Sequence, residues 1–302
     1  MLTRIPKTEL EKGMYVEAVE CSQTVFGKRR FVLKSDSDFN AILNSPADFV
    51  LINTAIGSTG GAAAGVTSGA GKPLTPAEAK SAFGRSTGIV KAELVTMLSD
   101  GVLDMEKFSP VIEEITEADD AQFALMHEVS RLRTKDESTF QHSLSVGMLM
   151  GRLGDAVGLD KETVELLVLS GLLHDVGKLA IPSKILLKDG PLSPAERKVI
   201  RTHPRRGHTI LKTYDNIPDL ALEICLHHHE LLDGTGYPMQ LSGSEISLLV
   251  RISTVCDVFD ALTSSRVYKR GWATVDALNW LFERDSQFDR KLVLRLGGLV
   301  DA

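Results

Sequence analysis

The stretch ELLVLSGLLHDVGK, residues 165–178, decides the fold. A mainly apolar run reads as a helix and ends in His174-Asp175, with Val176, Gly177 and Lys178 behind it. A charged pair at the buried end of an apolar helix is costly unless it is paired or binds a metal. A lone histidine on an apolar face is ordinarily a hydrogen-bonded core residue. Here the adjacent aspartate, a lysine one turn on and further histidines elsewhere weaken that reading.

Eight histidines stand at 127, 142, 174, 203, 208, 227, 228 and 229, all in the part of the chain that reads as helical. Three of them open LHHHELLDGTGYP, residues 226–238, and Asp257 sits in the apolar helical stretch VRISTVCDVFDAL, residues 250–262. Imidazoles with a few carboxylates and no thiolates suit a borderline transition metal such as iron, manganese or zinc. Several histidines with two aspartates exceed what one tetrahedral ion needs, so a two-metal site is expected, bridged by Asp175.

From about residue 75 onward the pattern is almost wholly helical. TPAEAKSAFG starts with a threonine cap and a proline in the first turn. Helical patterns follow over 88–103, 105–134, 137–157, 160–176, 193–214, 217–230, 245–263 and 273–286, and the charged 105–134 segment is long enough to serve as a stalk or to pack on a neighbour. Residues 1–56 read as a small α+β unit, with strands in MYVEAVEC, RRFVLKS and FVLINTAI and a short helix in DSDFNAILN. Between the two lies GSTGGAAAGVTSGAGK, residues 57–72, with six glycines. It lacks the phosphate-loop pattern, because Val66 and Pro73 stand where glycine and serine or threonine are required, so it reads as a flexible linker.

The 302 residues carry a formal net charge of −6, which argues against a general nucleic-acid binder but leaves room for a local phosphate pocket. Three cysteines, Cys21, Cys225 and Cys256, form no C-x-x-C pair and fit a reducing compartment. The charged start MLTRIPKTELEKG is no export signal, and no run approaches the roughly 20 apolar residues of a membrane helix. A cytoplasmic protein is expected.

Taken together, HDVGK, HHELLDGTGYP and DVFDAL closely resemble the HD-GYP subgroup of HD-domain phosphohydrolases, over roughly residues 125–290. The segment IPKTELEKGMYV, residues 5–16, is similar to the small domain of unknown function that often precedes HD-GYP domains. The resemblance implies a mainly α protein: residues 1–56 a small α+β regulatory domain, 57–74 a linker, 75–124 connecting helices and 125–302 an all-helical HD-type metallohydrolase domain. It implies His142, His174, Asp175, His203, His228, His229 and Asp257 as metal ligands, and leaves His227 outside the motif. Two divalent ions are expected, iron or manganese foremost, with zinc, nickel and magnesium open. Asp175 and Lys178 would be catalytic. Lys178, Gly236, Tyr237, Pro238, Arg266 and Lys269 would meet substrate, with Glu230, Asp233 and Asp260 supporting the site.

The implied activity is hydrolysis of cyclic di-GMP to linear pGpG, with GMP as a further product. The rivals are a phosphodiesterase for mixed cyclic GMP-AMP and a non-catalytic sensor that docks diguanylate cyclases (GGDEF proteins) through the Gly-Tyr-Pro loop. A homodimer is a further expectation. Members that hold a third metal carry a glutamate four residues before the first histidine. Ser138 stands at that position, which favours two metals and a slow second cut. Leu231, Ser265 and Val267 also depart from the family pattern, at the substrate rim rather than at the metals.

Overall fold

The computed structural model describes residues 2–19, 31–33, 35–45, 47, 49–53, 74–133, 137–265 and 271–300. The chain divides into two compact units, Met1–Ala70 and Gly71–Ala302. In the first, β1 (Leu2–Pro6), β2 (Tyr15–Val19), β3 (Phe31–Val32) and β4 (Phe49–Asn53) form an antiparallel sheet of order β1-β4-β2-β3. α1 (Asp36–Leu43) is capped by the Ser35 side chain, which accepts from the Asp38 amide. Its Ile42 is buried with Leu10, Val16, Leu33, Val50 and Ile52. β1 is absent from the sequence reading because Leu2 and Ile5 are three apart and break the period-two alternation that marks a half-buried strand. The backbone of β4 supplies its pairing instead.

The second unit is all helical among its described residues. Its first helices are α2 (Pro76–Asp100), α3 (Ser109–Thr116), α4 (Asp120–Ser130), α5 (Ser138–Ala156) and α6 (Lys161–Leu173). After them come α7 (Ser183–Leu186), α8 (Pro194–Ile200), α9 (His203–Leu211), α10 (Asp219–His227), α11 (Leu248–Thr263), α12 (Thr274–Phe282) and α13 (Arg290–Val300). No described helix is long and apolar enough to cross a membrane. Cys225 and Cys256 are buried free thiols, and Cys21 lies outside the described residues.

Several helices differ from the periodicity reading, each for a local reason. α2 runs unbroken through Gly84 and Gly88, where the sequence suggested two helices, because Phe83, Val90, Leu94 and Met97 bury its inner face. The 105–134 segment, expected as one long helix that is either a stalk or packed on a neighbour, is instead a 3-10 turn (Met105–Phe108) followed by two helices. Pro110 fits only in a first turn, and Asp119 with Gln122 makes a reciprocal cap that starts α4. These helices do not stand apart as connectors. Phe108, Val111 and Met126 share one core with Leu144, Met148 and Leu172. The expected 193–214 helix breaks at Thr202, because Pro204 again demands a first-turn position, and the break leaves His203 as the first residue of α9. α13 is unexpected because Gly297 and Gly298 weaken its helical signal, and burial of Leu292, Val293 and Leu296 overrides that weakness. The expected linker is outside the described residues except for Leu74.

Candidate metal centre

α6 is buried over most of its length and delivers His174 as its C-terminal cap, with Asp175 next to it; their exposures are 0% and 1%. The chain then tightens into a 3-10 turn, Val176–Ala180, which lies against the first turn of α9. Gly177 makes that approach possible: a Cβ there would stand 2.0 Å from the His203 carbonyl oxygen and 2.5 Å from the Gly207 nitrogen. α5 contributes His142, α9 His203, the end of α10 His228 and His229, and α11 Asp257.

The structure therefore brings the seven residues expected as ligands into one cluster. His142 Nε2 is 3.3 Å from Asp175 Oδ2 and 3.0 Å from Asp257 Oδ1, and His174 Nε2 is 3.5 Å from Asp175 Oδ2. On the other side, His203 Nε2 is 3.1 Å and His228 Nε2 3.8 Å from Asp175 Oδ1. His229 Nδ1 lies 3.4 Å from Asp257 Oδ2. Two groups suited to a cation emerge, His142 with His174 and Asp175, and His203 with His228 and His229. One oxygen of Asp175 faces each group.

The other ring nitrogens fix the tautomers. His174 Nδ1 donates to the Gly171 carbonyl at 2.7 Å, His203 Nδ1 to that of Ile200 at 2.8 Å, and His228 Nδ1 to those of Ile224 and Cys225 at 3.1 Å. His142 Nδ1 meets Asp260 Oδ2 at 2.6 Å. With Nδ1 committed, a neutral imidazole presents Nε2 as a bare lone pair, the arrangement that metal-binding histidines use. His203 Nε2 and His228 Nε2 then face each other at 3.1 Å, two acceptors that need a cation or a proton between them. His174 Nε2 and Asp175 Oδ1 are buried without a hydrogen-bond partner. Orphaned lone pairs at this depth are costly in a protein alone and fit divalent cations.

Charge supports the same fit. Burial lowers the pKa of His174 and of His228 and brings that of His229 to about 3, so these rings are neutral at ordinary pH. Burial would raise Asp175 and Asp257, but Lys178 with the histidines holds Asp175, and His142, His229 and His174 hold Asp257, well below the usual carboxylate range. Burial would also lower His142, yet bonds to Asp175, Asp257 and Asp260 raise it to about 10. The cluster thus demands positive charge at its centre.

Around it, Lys178 pairs with Asp175 Oδ2. Glu230 accepts from the amides of Met239 at 2.5 Å and Leu241 at 3.1 Å, which ties the 233–241 loop to the end of α10. Gly236 packs where a Cβ would stand 2.4 Å from the Leu231 nitrogen. Tyr237 stacks on His229 with ring centroids 4.7 Å apart, and its peptide bond to Pro238 is cis. Asp233, expected to support the site, is exposed; it accepts from the Thr235 amide and hydroxyl at 2.9 and 2.6 Å and also bonds the Gln287 side chain. Arg266 and Lys269 lie outside the described residues. Ser138 opens α5, and Glu137 pairs with Lys91 at 3.2 Å. His227 is turned from the cluster, with Nδ1 3.9 Å from Glu230 Oε1.

Two contributors, Arg133 and Thr254, escaped the sequence reading. Arg133 forms a buried pair with Asp260. The Thr254 hydroxyl donates to the His228 carbonyl at 3.0 Å and so braces the turn that carries His228 and His229. The Arg201 guanidinium stands 4.3 Å from the Tyr237 ring centroid, and Arg205 donates to the Pro238 carbonyl at 3.1 Å. Arg201 and Arg205 were visible in the sequence beside His203, where support of the site and plain solvation are both open readings.

The chain matches the family model described as HD domain over residues 122–292, and the Domain of unknown function (DUF3391) over residues 2–131. The latter runs well past the boundary at 56 expected from composition and takes in α2 to α4. A cyclic di-GMP phosphodiesterase of Pseudomonas aeruginosa is 36% identical over 96% of this chain and 74% of its own length. A 3'3'-cGAMP-specific phosphodiesterase of Vibrio cholerae is 39% identical over 48% of this chain, which covers 33% of that protein. A solved HDG"Y"P protein from Bdellovibrio bacteriovorus superposes with a TM-score of 0.60 at 14% identity, with all of both chains covered, and so shares the fold. The helical unit with its His-Asp cluster, the Gly-Tyr-Pro loop beside it and these matches place the chain in the HD-domain family, as an HD-GYP protein with an N-terminal DUF3391 domain.

Proposed function

We propose that this chain is a metal-dependent phosphodiesterase that opens cyclic di-GMP to linear pGpG. One observation carries the reading: the two oxygens of the buried Asp175 face two separate groups of histidines. His142, His174 and Asp257 would hold one cation, and His203, His228 and His229 the other, with Asp175 shared. Two divalent ions, iron or manganese foremost, would supply an acidified water and withdraw charge from the phosphoryl oxygens. Water adds to phosphorus as the bond to one 3′ oxygen breaks, and the proton ends on that oxygen. Lys178, beside Asp175, offers its ammonium to a phosphoryl oxygen as charge develops. Tyr237, held between His229 and Arg201, would meet the bound nucleotide or its phosphate with its ring edge and hydroxyl. Gly236 and Pro238 shape the same wall.

The relatives support a cyclic dinucleotide as substrate. The Vibrio cholerae relative favours a second reading, hydrolysis of mixed cyclic GMP-AMP. Kinetics on both cyclic dinucleotides with manganese-loaded protein decide between them. A kcat/KM at least tenfold higher for cyclic di-GMP, with pGpG accumulating, is expected. Preference for the mixed dinucleotide overturns the first reading, and turnover of neither by metal-loaded protein overturns both. With Ser138 in place of the glutamate, GMP forms more slowly than pGpG.

A further inference from the structure

We infer that Arg133 is a positioning residue for the hydrolytic site, setting His142 through Asp260. The inference rests on the metal phosphodiesterase reading above. Arg133 lies beyond α4, in the three residues Arg131–Arg133 that lead away from its last turn. Its side chain is 2% exposed and pairs with Asp260, equally hidden. Asp260 Oδ2, the oxygen that takes Arg133, also takes His142 Nδ1 at 2.6 Å. Asp260 Oδ1 accepts from Ser145 at 2.5 Å and from Ser264 at 3.4 Å. Asp260 is thus held on both oxygens by donors from four places in the chain, and it fixes both the ring orientation and the tautomer of His142.

A purely structural role explains this poorly. Burying an ion pair gains little over apolar side chains of the same size, because desolvation offsets the attraction. What the pair secures is the place of the carboxylate. Asp260 without Arg133 would keep only His142, Ser145 and Ser264 as partners, and the carboxylate, with the His142 ring bonded to it, would be free to shift from the position that aims Nε2 at the cluster.

Arg131 anchors the same segment. Its side chain donates to the carbonyls of Thr263 at 3.4 Å and Trp272 at 3.0 Å and to the Thr274 hydroxyl at 3.3 Å. Its carbonyl accepts from the Ser265 amide at 2.9 Å. Arg133 therefore enters from a segment fixed to the end of α11 and to the start of α12, which limits how far its guanidinium can drift from Asp260.

The test compares wild type, Arg133→Gln and Arg133→Lys as full chains. Manganese affinity is measured by equilibrium dialysis, kcat and KM at limiting and at excess manganese, and folding by thermal unfolding. Second-layer partners of metal-bound histidines typically account for 10- to 100-fold in metal affinity. Arg133→Gln should weaken manganese binding by about that factor, excess manganese should restore kcat to within a few-fold of wild type, and KM should hardly move. Arg133→Lys should regain most of the affinity. A folded Arg133→Gln protein with wild-type manganese affinity overturns the inference, as does a kcat defect that excess metal leaves untouched. If Arg133→Gln does not fold, Arg133→Lys carries the test: a smaller loss of affinity is expected, and none overturns the inference. Failure of the wild type itself to bind manganese or turn over would instead overturn the proposed function.

Discussion

The contact between the 3-10 turn and α9 gives the sharpest structural test. In Gly177→Ala the new Cβ would sit 2.0 Å from the His203 carbonyl oxygen, whereas ordinary contact begins near 3.4 Å. The difference, 3.4 minus 2.0, is 1.4 Å, and every close neighbour is backbone, so no side chain can swing away. The turn and α9 must separate. That motion pulls Asp175 from His203, now 3.1 Å apart across the cluster. Ligand distances of about 2.0–2.2 Å leave no slack for it. Overpacking of this kind costs about 1–3 kcal/mol, which in a domain of this size lowers Tm by a few to about 10 °C. Misplacing a reacting group by about 1 Å can lower kcat about 100-fold. Thermal unfolding, metal content and turnover of purified Gly177→Ala check each part. A variant with wild-type Tm, full metal content and wild-type kcat would refute the claim that this glycine sets the spacing of the site.

His228→Ala should lose one equivalent of metal and at least about 100-fold in turnover, while His227→Ala should keep the metal and most activity; elemental analysis with an activity assay separates them. A second variant concerns pH. His127 is buried between Phe123 and Phe259, and burial lowers its pKa from 6.5 to about 4. Above pH 6.5 it is neutral folded or unfolded and has no effect; as pH falls toward 4 the unfolded chain takes a proton that the folded one refuses. Between pH 7 and 5 wild type should therefore lose about 2 kcal/mol more than His127→Gln, read by denaturant unfolding in chelator. Equal losses would show that His127 is not held neutral. Glu230→Ala should release the amides of Met239 and Leu241, raising KM for the cyclic dinucleotide more than it changes metal content.

How much of this was legible in the sequence depended on how local each signal is. The His-Asp pair at the end of an apolar helix, the two histidines before Glu230 and the loop to Pro238 are contiguous, so their chemistry could be read in place. Their convergence in space needed the family resemblance, because nothing in spacing alone tells α5 to lie against α6. Helix starts were visible as caps at Ser35 and Thr75, while the start at Asp119 and the breaks at Pro110 and Pro204 were hidden inside a helical periodicity that continues across them. Arg133 and Asp260 were illegible as a pair. They are 127 residues apart, and an arginine in a charged stretch reads as solvated until the fold buries it.

The central claim is that one buried carboxylate, Asp175, joins two cation sites into a single hydrolytic centre. Titrating metal-free protein with manganese while following cyclic di-GMP turnover tests it most directly. Two equivalents should bind per chain, activity should rise only as the second site fills, and Asp175→Asn should lose that second equivalent. Full activity at one equivalent, or two tight equivalents in Asp175→Asn, would contradict it.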